Sequence, residues 1–222
     1  MLPAGSLFIV LCAVPLLKIY PDNPQERLLA QVVQCLQADG VIIYPTDTVY
    51  ALGCHIHSRR AIERICRIKG VDPEKHTFAC IVPDLKAVGE YAAQLDNPTF
   101  KLMRRVLPGP YTFILPAGKM IPKHFQGKRK EFGVRMIDQP IVQELVRRLG
   151  NPLVTTSIKH EDEVLEYRTD PELIFEQYGH LADFVIDGGY GGNIPSTVVD
   201  LTDGAENLRI IREGLGPVAD LE

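Results

Sequence analysis

The segment Gly40-Val41-Ile42-Ile43-Tyr44-Pro45-Thr46-Asp47-Thr48-Val49-Tyr50-Ala51-Leu52-Gly53 constrains this chain more than any other. An apolar run that reads as a core strand ends at Pro45, and hydroxylated residues with one carboxylate follow. Threonine hydroxyls and a tyrosine phenol both donate and accept hydrogen bonds. Such a strand end suits a site that must hold a small polar ligand. A turn rich in side-chain-to-backbone bonds would use the same residues, and on this segment alone both readings stay open.

The 222 residues allow one large domain or two small ones. With 45% hydrophobic and 23% charged residues, the composition is that of an ordinary soluble globular protein. A net charge of -4 gives no global attraction to nucleic acid, so binding of that kind needs a local basic patch. Cys12, Cys35, Cys54, Cys66 and Cys80 form no Cys-x-x-Cys pair, which supports neither a zinc site nor a disulfide framework. Reduced thiols in a cytoplasm are the expectation. Leu7 to Leu17 is nearly all apolar but too short to span a bilayer. No positive segment precedes it, and Lys18 lies on the wrong side for a secretory signal. Residues 1–17 read as an N-terminal extension leading into a first strand, with a signal peptide as the alternative, and no membrane contact is expected.

Leu28, Leu29, Val32, Val33 and Leu36 give residues 24–39 a helical apolar face closed by Gly40, and strand 41–44 follows. Ser58 is placed to cap a helix with Ile62, Ile65 and Cys66 inside. Residues 77–82 read as a buried strand, 84–93 as a short helix, and Asn97-Pro98 as the start of another that stops at Pro108-Gly109-Pro110. Strands are expected at 111–115 and 132–137, separated by a basic loop, and a helix starts at Asp138 and is ended by Gly150. Strand 153–156, helix 171–178 and strands 184–187, 197–201 and 208–212 complete the pass. Short strands and helices alternate without repeats or a linker, which predicts a single α/β (α+β) domain around a mixed sheet.

Four segments deliver polar groups from a strand edge or turn: Pro45–Tyr50, Pro108–Thr112, Thr155-Thr156-Ser157 and Pro195–Asp200. Arg135 and Arg212 add positive charge from apolar strands. An arginine there is costly to bury without an anionic partner. Together with Lys69, they suggest a cleft made for phosphate. For either arginine alone, the alternative is an ion pair with a carboxylate such as Asp200 or Asp187. No Walker-type phosphate loop is present, and Gly188-Gly189-Tyr190-Gly191-Gly192 is not a dinucleotide fingerprint. That glycine cluster reads as a flexible turn, or as a hinged flap over a ligand. His55 and His57 have no third ligand nearby, so no metal site is expected.

The order of Pro45–Gly53, Pro108-Gly109-Pro110-Tyr111-Thr112, Gly133-Val134-Arg135, Thr156-Ser157, Ser196-Thr197-Val198-Val199-Asp200 and Arg212-Glu213-Gly214 resembles the YrdC-type threonylcarbamoyl-AMP synthase superfamily. The likeness runs from about Lys18 to the C-terminus, making 18–222 a YrdC-like domain. Tyr20-Pro21-Asp22-Asn23-Pro24-Gln25, Arg64–Ile68 and Lys128-Arg129-Lys130 look like its YciO branch. The resemblance implies one α/β domain whose twisted mixed sheet and flanking helices line a concave, basic cavity. It also implies a nucleotidyltransferase that builds threonylcarbamoyl-adenylate from L-threonine, bicarbonate and ATP for modification of tRNA adenosine 37. Mg²⁺ would arrive with ATP, and the product would pass to partner proteins of tRNA modification.

By the same resemblance, Thr46, Thr48, Tyr50 and Thr112 would meet the small substrate. Lys69, Arg135, Ser157, Ser196 and Arg212 would meet the nucleotide, and Lys69, Arg135 and Thr48 would be the catalytic set. Two departures stand out. The synthases carry Lys-x-Arg where this chain has Lys69-Gly70-Val71, and Ser-x-Asn where it has Ser157-Ile158-Lys159. Losing a cation and an amide from a phosphate site weakens catalysis by about 2–4 kcal/mol. The alternative function is binding of double-stranded RNA or tRNA through Arg104, Arg105, Lys119, Lys123, Lys128, Arg129 and Lys130, although such charge runs are commonly solvated faces.

Overall fold

A computed structural model describes residues 14–73, 75–125, 128–158 and 169–221. In chain order the elements are β1 (Leu16–Lys18), α1 (Glu26–Gln37), β2 (Val41–Tyr44), β3 (Ala51–His55), α2 (Arg59–Lys69), β4 (Ala79–Ile81), α3 (Leu85–Tyr91) and α4 (Asn97–Val106). They continue with β5 (Tyr111–Pro116), β6 (Glu131–Arg135), α5 (Pro140–Leu149), β7 (Leu153–Ser157), α6 (Pro171–Tyr178), β8 (Phe184–Asp187), β9 (Thr197–Asp200) and β10 (Arg209–Arg212). The strands form one sheet in the order β1-β8-β2-β3-β7-β4-β6-β5-β9-β10. Pairs β1/β8, β2/β8, β4/β6 and β5/β9 are parallel and the other neighbours antiparallel, so the sheet is mixed.

Helices cover both faces of the central strands. Val41 and Ile43 pack with Ile62, Ile65, Phe78 and Met103 on one side. Ile42 and Tyr44 pack with Leu29, Val32, Ile141 and Leu145 on the other. A strand buried on both faces needs apolar residues at every position, which explains the unbroken run at 41–44. Ser58 caps α2, its Oγ accepting from Ala61 N at 3.1 Å, and Gly70 ends the helix in the left-handed region at φ 63°. Asp96 caps α4 in the same way through Thr99 N at 2.8 Å.

Two boundaries and one strand differ most from the sequence expectations, beside smaller shifts at the ends of β4, α3 and β6. The sheet already begins at Leu16, whose strand pairs with Val185–Asp187, so the last residues of the expected extension belong to it. Helix α5 begins at Pro140 rather than Asp138, because proline is pre-set for the first helical turn and leaves Gln139 as the cap, accepting from Val142 N at 3.1 Å. Strand β3 was not anticipated: Gly53 breaks its β-forming pattern. That glycine is needed for close approach, since a Cβ there would lie 2.6 Å from both the Tyr44 ring and the Val154 carbonyl oxygen. No helix among the described residues is long and apolar enough to cross a membrane.

Candidate functional site

Cross-strand partners share a sheet face, so register locates the site. Ala51 faces Ser157, Gly53 faces Thr155, Thr155 faces Ala79, and Ala79 faces Gly133. These small residues continue the face that α1 and α5 cover over Tyr44 and Leu153. Beyond those helices the face opens into a hollow of about 580 Å³. Thr48, Thr112, Arg135, Ser157, Ser196 and Arg212 all line it. Gly133 deepens its floor, since a Cβ there would sit 2.8 Å from the Ala79 side chain.

Arg135 lies at the bottom of this hollow, 6% exposed. Its Nη2 donates to Asp47 Oδ1 at 2.5 Å and to Thr48 Oγ1 at 3.2 Å. The expected alternatives do not pair with it: Asp200 accepts from Arg209 at 2.6 Å, and Asp187 accepts from Gly189 N at 3.0 Å. Burial pushes the Asp47 carboxyl above its usual range, against the pull of the Arg135 guanidinium. Burial likewise lowers the arginine's own value, opposed by Asp47. Arg135 Nε is buried with no acceptor among the described residues. A buried donor left unmade costs about 1–3 kcal/mol, a cost that Arg135 carries at the foot of the hollow.

The hydroxyls are arranged in two pairs. Thr46 Oγ1 and Thr48 Oγ1 are 3.0 Å apart, with Thr46 also donating to Val49 O at 2.7 Å. Thr112 Oγ1 and Ser196 Oγ are 2.8 Å apart. Arg212, on the outermost strand, holds Ser196 from behind by donating Nη2 to its carbonyl at 2.9 Å.

Three of the expected residues sit behind the lining. Thr46 supports Thr48 from within the turn. Lys69 is 2% exposed at the end of α2, and its Nζ donates to Ser157 O at 2.9 Å. Tyr50 points away into the core, and burial pushes its phenol above the usual range. Its hydroxyl donates to Gly189 O at 2.7 Å and accepts from Gly188 N at 3.3 Å.

The glycine cluster is part of the connection between β8 and β9, as expected of a turn, and three of its glycines lie close against the site segment. A Cβ on Gly188 would lie 2.6 Å from Pro45, one on Gly191 2.7 Å from the Tyr50 ring, and one on Gly192 2.3 Å from Thr48 O. These glycines form a plate pressed against the back of the Pro45–Tyr50 segment, and only side-chain-free backbone fits there.

Sequence reasoning did not anticipate Lys75, His76 and Phe78 as lining residues. His76 stacks edge-on against Phe78 at 4.5 Å. They precede β4, and only strand pairing brings them to the hollow. The described lining includes Lys75, Arg129, Arg135 and Arg212 and no carboxylate. Of the seven cations of the RNA-binding alternative, only Arg129 lines this hollow, while Arg104 and Arg105 border a separate groove beside Leu221. Lys159 lies outside the described residues.

The sequence matches the profile Sua5_yciO_yrdC, described as "Telomere recombination", over residues 34–214. It is 43% identical to the uncharacterized protein YciO of Escherichia coli K12, over 90% of this chain and 95% of that one. It is 31% identical to the threonylcarbamoyl-AMP synthase of Pseudoalteromonas translucida, over 81% and 96%. The crystal structure of E. coli YciO superposes with a TM-score of 0.86, covering 94% of this chain and 99% of that one at 41% identity. That of P. abyssi Sua5 complexed with L-threonine gives 0.82, covering 93% and 59%, and at 23% identity it speaks for the fold alone. Profile, identity and superposition agree, and the chain belongs to the Sua5–YciO–YrdC family.

Proposed function

We propose that the hollow takes ATP and the carbamate of L-threonine and joins them as threonylcarbamoyl-adenylate, with slower turnover than the synthases have. The observation that carries this reading is the convergence of Thr48, Thr112, Arg135, Ser157, Ser196 and Arg212 on one hollow. Support also comes from the 31% identity to a protein named threonylcarbamoyl-AMP synthase.

In this reading the amino group of L-threonine takes up bicarbonate with loss of water. A carbamate oxygen then attacks the α-phosphorus of ATP. The bond to the bridging oxygen of the β-phosphate breaks, and pyrophosphate leaves with the electron pair. Positioning and charge stabilisation supply most of the catalysis in such a step. Thr48 and Thr112 hold the small substrate, Ser157 and Ser196 face the nucleotide, and Arg135 and Arg212 meet developing negative charge. With no carboxylate among the described lining residues, Mg²⁺ would come held by the phosphates and water. Lys69, tied to Ser157, acts on position rather than on the phosphates. Loss of the second cation of Lys-x-Arg and of the Ser-x-Asn amide accounts for the slower turnover. The adenylate would pass to proteins that modify tRNA.

The test mixes purified protein with ATP, labelled bicarbonate and L-threonine and follows pyrophosphate and the adenylate. Product supports the reading. Absence of product together with absence of calorimetric ATP binding overturns it, while ATP binding alone reassigns the chain to ligand sensing. For the RNA alternative, an affinity that falls steeply with salt is the signature of phosphate contacts.

A further inference from the structure

On the far side of the glycine plate lies a second hollow of about 330 Å³, between the end of β1, the start of α6 and the end of β8. Tyr20, Tyr190, Asp170, Glu172, Asp187 and Lys18 line it. Tyr20 belongs to the segment singled out above as YciO-like, for which the adenylate chemistry has no use.

The carboxylate of Asp187 sets this hollow apart from an ordinary acidic surface. Asp187 is 9% exposed, and its Oδ1 accepts from Gly189 N at 3.0 Å. Its Oδ2 takes no hydrogen bond from any described residue, so Asp187, a buried residue that lines the hollow, keeps half its acceptor capacity. Asp170 is partly committed, accepting from Glu172 N at 2.9 Å and from the Tyr190 hydroxyl at 3.4 Å. Lys18 rests 5.8 Å from the centre of the Tyr20 ring and makes no ion pair among the described residues. Three carboxylates against one ammonium leave the hollow net negative. Tyr20 and Tyr190 line it, 55% and 79% exposed, with Lys18, the strand partner of Asp187, over one face of the Tyr20 ring. Aromatic rings next to a carboxylate with one oxygen unbonded are the chemistry that receives an organic cation.

We infer that this hollow binds a primary-ammonium or guanidinium group, seated on Asp187 and flanked by Tyr20 and Tyr190. Such a group comes from a free polyamine or from a protein side chain. Spermidine and N-acetyl-L-arginine amide probe the two sources, titrated into ¹⁵N-labelled protein while the amides of Gly188, Gly189 and Tyr190 are followed. Saturable shifts with either probe support the site, and the tighter probe names the source. Asp187→Asn keeps the acceptor for Gly189 N and removes the charge, and it is expected to weaken binding about tenfold. Tyr190→Ala, at a position 79% exposed, is expected to weaken it about threefold. Shifts that do not saturate, shifts reproduced by sodium chloride of matched ionic strength, or affinities untouched by both substitutions would overturn the inference.

Discussion

Arg135 and Asp47 meet at 2.5 Å beneath the hollow, each less than a tenth exposed, although 88 positions separate them in the chain. A pair buried this deeply contributes little net stability while both partners are present, but removing one leaves an uncompensated charge.

Asp47→Asn or Arg135→Gln alone should therefore lower stability by about 3–5 kcal/mol. The double variant should lose less than the sum of the two, by about 1–3 kcal/mol. Urea unfolding of the four proteins measures the coupling, and strict additivity would show that the pair does not form.

The glycine plate makes a sharper steric prediction. Gly192→Ala places a Cβ 2.3 Å from Thr48 O, where backbone must move, and should cost about 2–3 kcal/mol and displace Thr48. Gly89→Ala, on an exposed turn of α3 with nothing within 4 Å, should instead stabilise by about 0.5–1 kcal/mol. Thermal unfolding of the two variants must move in opposite directions.

Tyr50→Phe removes a donor to Gly189 O and an acceptor for Gly188 N without changing the packed ring. A stability loss of about 1–2 kcal/mol is expected, with faster amide exchange at Gly188. Unchanged exchange there would detach the plate from the site segment.

Asp96 caps α4, and hydrogen bonds from Thr99, side chain and then backbone, hold its carboxyl below the usual range. A depressed folded value means that its contribution is present above the unfolded value near 3.8 and is lost as pH falls through the folded one. Asp96→Ala should cost about 1 kcal/mol at neutral pH. Denaturant midpoints of the two proteins should converge below pH 3.8.

Local rules were enough for much of the architecture. Ser58 and Gly150 punctuate helices where capping and left-handed backbone demand them, and Val41–Tyr44 could hardly be other than a buried strand. The order of the polar segments likewise identified Thr48, Thr112, Arg135, Ser157, Ser196 and Arg212 as members of one set. Strand β3 escaped notice because its Ala-Leu-Gly-Cys-His run owes its place to neighbours on both sides, β2 and β7.

The composition and motif order of the chain alone determined a mixed α/β domain, its family resemblance and the hydroxyls and cations suited to an anion. Packing alone decided which of them reach the hollow. Tyr50 and Lys69 look like ligand contacts when read in line, yet their reach is spent on Gly189 and Ser157. Arg135 took as its partner Asp47 rather than Asp187 or Asp200. A side chain's type is local information, but its direction and partner follow from strand register between segments far apart in sequence.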